Sequence, residues 1–90
     1  MIDRDGFKSW LNDNTGYSPS VICDQISRMK RADCIREWDG DETYLFFLEK
    51  ETAFNGLSVS VRSQMRKAVK LYYAYESEIR NASRSSSEVV

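Results

Sequence analysis

Histidine is absent from the 90 residues, proline occurs once, cysteine twice and glycine four times. Each shortage closes off some chemistry. Without histidine there is no Ser-His-Asp triad, no Cys-His dyad and no HExxH metal site. Gly6, Gly16, Gly40 and Gly56 stand apart, so no glycine-rich phosphate loop is present. Each of them falls where a helix is expected to start or stop. Cys23 and Cys34 are eleven residues apart, which is about 16 Å along one helix and beyond disulfide reach. They are expected to be reduced and half-buried, with Cys23 widening an apolar stripe. Two thiols without histidine make a poor zinc site. No apolar run approaches the roughly 18 residues of a membrane span, and the opening MIDRDGFK lacks the apolar core of a signal peptide. A cytoplasmic protein is expected, with no membrane partner, no metal and no cofactor.

What is present reads as helix. The length suits one domain, and residues 1–80 are expected to form it, with a flexible Ser-rich tail or linker over 81–90. The expected fold is all-α, a compact orthogonal bundle of four helices with the second and fourth long. Residues 57–80 anchor that reading. They contain no Gly or Pro, and Val61, Met65, Ala68, Leu71, Tyr72, Tyr75 and Ile79 recur in steps of three and four, the period of an amphipathic helix. Ser58 or Ser60 is expected to cap it. Upstream, Asp3 or Asp5 caps a short first helix whose apolar face is Phe7, Trp10 and Leu11. Ser18-Pro19 opens the second helix, which runs to about Arg36. Ile22, Ile26 and Met29 form its inward stripe, and Asp24 is placed to pair with Arg28. Asp33 falls on the apolar line, so the helix ends or bends near it.

Residues 37–41 (EWDGD) read as a turn, with Trp38 folded onto the core and Asp41 capping a third helix that closes at Asn55-Gly56. YLFFL, residues 44–48, is a strand by periodicity alone, but its charged flanks and the lack of a partner strand favour helix. Tyr44, Phe47 and Leu48 are expected inward. Phe46 is either a further packing contact, the preferred reading, or an exposed anchor. Asp39, Gly40 and Asp41 resemble part of a calcium loop without its remaining ligands. Asp39, Asp41 and Glu42 read as turn and cap residues, so no enzyme and no small-molecule substrate is expected.

Charge is balanced overall, at −1, and uneven locally. Residues 25–36 hold four basic residues against one acid, and residues 57–75 hold Arg62, Arg66, Lys67 and Lys70 with no acid. Residues 37–56 hold six acids against Lys50. A basic helix face is usually just solvated. Two such helices in one small domain, with acids gathered elsewhere, point to a polyanion. Guanidinium forks suit phosphate oxygens, and Tyr73 and Ser63 are placed to add neutral phosphate contacts.

The whole pattern resembles the N-terminal, SAM-like core-binding domain of tyrosine recombinases (phage integrases). The resemblance is carried by Phe7-Lys8-Ser9-Trp10-Leu11, by Ser18-Pro19-Ser20-Val21-Ile22, by the apolar cluster at 44–48, and by Ser58-Val59-Ser60-Val61 leading to Leu71-Tyr72-Tyr73. It spans residues 5–78, in order. It implies half of a clamp on double-stranded DNA, with helices two and four facing the duplex. Arg28, Arg31, Arg62, Arg66, Lys67, Lys70 and Tyr73 are thus the expected DNA-binding residues. The family's catalytic arginines, histidine and nucleophilic tyrosine belong to a separate domain and cannot be assembled without histidine. Tyr72, Tyr73 and Tyr75 are therefore not read as nucleophiles. The alternative is a small phage or mobile-element module that docks on a protein partner through Trp38, Phe46 and Glu49 in its acidic third-helix region.

Overall fold

The computed structural model describes residues 2–89, with side chains through Asn81. Five helices follow in order: α1 (Arg4–Asn14), α2 (Pro19–Ile35), α3 (Tyr44–Leu48), α4 (Thr52–Asn55) and α5 (Val59–Val89). No strand occurs among the described residues, so the protein is all-α. The side chains of the tail expected over 81–90 lie, beyond Asn81, outside the described residues.

The helix starts follow from local side chains. The Asp3 carboxylate accepts from the Gly6 N–H at 3.1 Å and caps α1. The Ser18 hydroxyl accepts from the Val21 N–H, with Pro19 at the first helical position. The Ser58 hydroxyl accepts from the Val61 N–H at 3.2 Å, ahead of α5. In each case a short side-chain oxygen satisfies an amide that the first turn leaves without a partner.

The long helices α2 and α5 pack on one another, and α1 packs on both. The shared core holds Phe7, Leu11, Ile22, Ile26, Met29, Ala32, Met65, Ala68, Val69, Tyr72 and Tyr75, closed by Trp38, Tyr44, Leu48 and Phe54. Aromatic rings run through it. Phe7 meets Tyr72 edge-on at 5.0 Å, Tyr72 meets Trp38 at 5.2 Å, and Trp38 meets Tyr44 at 4.8 Å. Such edge-to-face pairs match ring edges to the negative ring faces.

Five helices stand where four were expected, because the third is broken. After Leu48 the amides of Lys50 and Glu51 bond three residues back, to Phe47 and Leu48, which tightens the turn and ends the α ladder. The Asn55 side-chain amide donates to the carbonyls of Glu49 and Glu51 at 3.0 and 3.1 Å, tying α4 back to the break; the Glu51 carbonyl also accepts the Asn55 N–H.

Several side chains also sit elsewhere than expected. Cys23 and Cys34 are free and exposed rather than half-buried. The inward row of α2 is widened by Gln25 and Ala32 instead, both of which lie nearer its centre at 100° per residue. The Asp24–Arg28 pair does not form among the described residues. As expected, α2 ends near Asp33, at Ile35, and the Asp33 carboxylate accepts from the Trp38 N–H at 2.8 Å and anchors the following turn. Asp41 is not the cap of α3, whose N-cap is Thr43. Asp41 closes an Asx turn, accepting from the Thr43 amide and hydroxyl at 2.9 Å, and both bonds hold its carboxyl below the usual aspartate range. Gly40 beside it has φ +76°, a conformation that glycine adopts without a Cβ penalty.

Phe47 was expected inward, yet it is 43 % exposed, and Phe46 is 57 % exposed against the packing reading. A helix of five residues turns only Tyr44 and Leu48, four apart, toward the core. Ile79, the last residue of the expected stripe of α5, is also exposed.

Candidate nucleic-acid interface

At 100° per residue the buried row of α2 leaves Arg31 on the outer face and Arg28 at its edge; Arg31 is exposed and Arg28 half-buried. On α5, Lys67 and Lys70 are exposed, while Arg62, Arg66 and Tyr73 are half-buried along the border of the apolar row. The seven expected DNA-binding residues thus divide into three solvent-facing cations and four edge residues.

Two of the edge residues, Arg66 and Tyr73, make contacts within the fold. The Arg66 Nε donates to Glu49 at 2.8 Å, and its guanidinium lies 5.6 Å from the centre of the Phe54 ring. Tyr73 meets Trp38 edge-on at 6.5 Å. Arg62 carries a buried Nε that has no hydrogen-bond acceptor. Lys67 sits 5.6 Å from the Tyr17 ring, and Lys70 lines a groove with Asp41, Glu42 and Tyr73.

The acids are therefore not gathered at a pole away from the cations. Glu49 meets Arg66, Glu51 meets Arg36 at 3.4 Å, and Asp41 with Glu42 shares a groove with Lys70. Summing charge along chain segments misses this, because the pairs join residues fifteen and seventeen apart.

The alternative docking residues fare unequally. Trp38 is buried, and its indole N–H donates to Glu76 at 2.9 Å. It is a core residue and not an exposed contact, so truncating it tests folding rather than docking. Glu49 is half-buried in its ion pair. Phe46 is exposed, meets Phe47 edge-on at 5.4 Å, and carries the Lys50 ammonium 4.3 Å from its ring centre. Phe47, which the sequence reading placed inside, joins it at the surface, with Arg36 5.0 Å from its ring.

The tyrosine hydroxyls serve as hydrogen-bonding groups. Burial pushes Tyr72 up to about 12, and burial and then the Asp3 bond raise Tyr75. Burial raises Tyr44 as well, and its hydroxyl donates to the Ala32 and Arg36 carbonyls at the end of α2. Among the described residues no group of three or more His, Cys, Asp or Glu is placed to hold a metal ion, and no helix is long and apolar enough to cross a membrane.

The class that the fold defines is an all-α helical domain. No family model, curated protein or solved structure matches the chain, so the likeness to core-binding domains rests on the residue pattern.

Proposed function

We propose that this chain is a non-enzymatic DNA-binding module that contacts duplex phosphates through α2 and α5, as integrase core-binding domains do. The observation that carries the reading is the pairing of two mutually packed helices with exposed cations: Arg31 on α2, and Lys67 and Lys70 on α5, with no acid in residues 57–75. Arg62 lies half-buried on the same helix as the two lysines. Exposed cations on packed helices suit a regular row of phosphates, and they supply affinity without reading sequence.

Charge reversal at Lys67 and Lys70 tests this best, since both are exposed and their replacement leaves the core intact. Reversal at Arg66 instead sets a carboxylate against Glu49 and removes the cation beside the Phe54 ring, so it changes local contacts together with charge. The Lys67→Glu/Lys70→Glu double variant is expected to lose duplex binding in a fluorescence titration while keeping its helical circular dichroism. Unchanged affinity in that variant overturns the reading.

A second reading is favoured by the exposed Phe46–Phe47 pair: a phage or mobile-element module that docks on a protein partner through α3. It predicts no duplex affinity at low salt, and a partner captured by the wild type and lost with Phe46→Ala. Duplex binding that Phe46→Ala leaves unchanged would count against it.

A further inference from the structure

The ion pair between Glu49 and Arg66 is not placed by chance rotamers alone. The Glu49 backbone is held on both sides, its N–H donating to the Leu45 carbonyl and its own carbonyl accepting from the Asn55 side chain. The carboxylate therefore leaves from a fixed point at the break between α3 and α4. Arg66 is fixed as well, its guanidinium lying against the ring of Phe54, a fully buried residue of α4. The two charges meet at 2.8 Å with 35 % and 40 % of their side chains exposed. A pair so open to water contributes little to folding. An arriving polyanion meets it directly, because it occupies a donor on the basic helix and sets a negative charge beside it. Glu51 on Arg36, and Asp41 with Glu42 beside Lys70, repeat the arrangement along the same segment.

We infer that Glu49 is an internal competitor for phosphate at Arg66, so that the acidic segment 37–56 sets the affinity of α5 for DNA. Binding at this edge exchanges a carboxylate oxygen for a phosphate oxygen on the same guanidinium. The inference rests on the DNA-binding reading and adds a regulatory contact within that site. It also accounts for acids packed along a basic helix in a protein whose overall charge is near zero.

The test is a set of duplex titrations at one low salt concentration with the wild type, Glu49→Gln, Arg66→Gln and the double variant. Asp13→Asn, which removes an exposed acid on α1, controls for net charge. Glu49→Gln keeps the side chain's length and is expected to tighten binding about two- to fivefold, the range set by releasing one exposed ion pair. That gain is expected to vanish in the Arg66→Gln background and to exceed the gain from Asp13→Asn. If Glu49→Gln binds no tighter than Asp13→Asn, or if its gain survives Arg66→Gln, the role of Glu49 is overturned while the DNA reading stands. If none of these proteins binds duplex, the DNA reading falls and the inference falls with it.

Discussion

Asp3 ties the N-terminus of the chain to its last helix. Its carboxylate accepts from the Gly6 N–H and, at 2.6 Å, from the Tyr75 hydroxyl, while its own N–H donates to the Tyr72 hydroxyl at 2.7 Å. The site leaves no room for a Cβ at Gly6, which would run into the Tyr75 hydroxyl and the Asp3 carboxylate. Nearby, the indole N–H of Trp10 donates to Glu78. The Tyr75 bond first, and the Gly6 bond second, hold the Asp3 carboxyl below its ordinary value of 3.8. A carboxyl whose folded pKa is depressed adds stability above its unfolded pKa. That stability is lost as pH falls from there through the folded value. Asp3→Asn keeps a capping oxygen but loses the charge at the helix N-terminus, so it is expected to cost about 0.3 to 1 kcal/mol at neutral pH and to flatten the acid limb of stability below about pH 4; thermal melts across pH check both. An equal slope in wild type and variant contradicts the assignment. A second residue behaves oppositely. Gln25 is buried on α2, and its Oε1 has no hydrogen-bond partner. Gln25→Leu is expected to raise stability by about 1 kcal/mol or more, since it removes a desolvated acceptor without leaving a partner unpaired. A lower melting temperature would show that the oxygen is satisfied in solution.

At the scale of elements, the helix starts were legible and the interruption was not. Ser18-Pro19 and Ser58 act within three residues of the amides they cap, and a local signal of that kind survives in a linear reading. The choice between Asp3 and Asp5 is settled by the spacing to Gly6 and by tyrosines about seventy positions away, which no local pattern contains. The break between α3 and α4 has neither glycine nor proline to announce it. It depends on the side chain of Asn55 reaching back to two carbonyls, and on Phe54, which is wholly buried. Asn55→Ala is expected to cost about 0.5 to 1.5 kcal/mol by removing both side-chain bonds, the Glu51 carbonyl keeping the Asn55 N–H, measured by urea unfolding. A cost near zero would mean that water replaces the amide freely. The same break explains the surface phenylalanines. A five-residue helix commits one i, i+4 pair to the core, so a run of five apolar residues cannot all be buried. Trp38 was read correctly as folding onto the core, and for that reason it cannot also serve as a docking residue.

For the whole molecule, the all-α architecture followed from the helical period of residues 19–35 and 59–80, because that period reflects burial along long elements. The charge arrangement did not follow, since sign counts along the chain ignore which segments fold together. The basic helices and the acidic segment are neighbours, and the cations left facing solvent are fewer than the sequence count suggests. Affinity for DNA is accordingly expected to be modest and strongly salt-dependent. The most direct measurement is a titration of a short labelled duplex at about 50 mM and about 200 mM salt. With about four phosphate contacts the account predicts binding at the lower salt and a loss of affinity of about a hundredfold at the higher. No binding at low salt, or affinity that salt leaves unchanged, would contradict the claim that α2 and α5 form a phosphate-binding face.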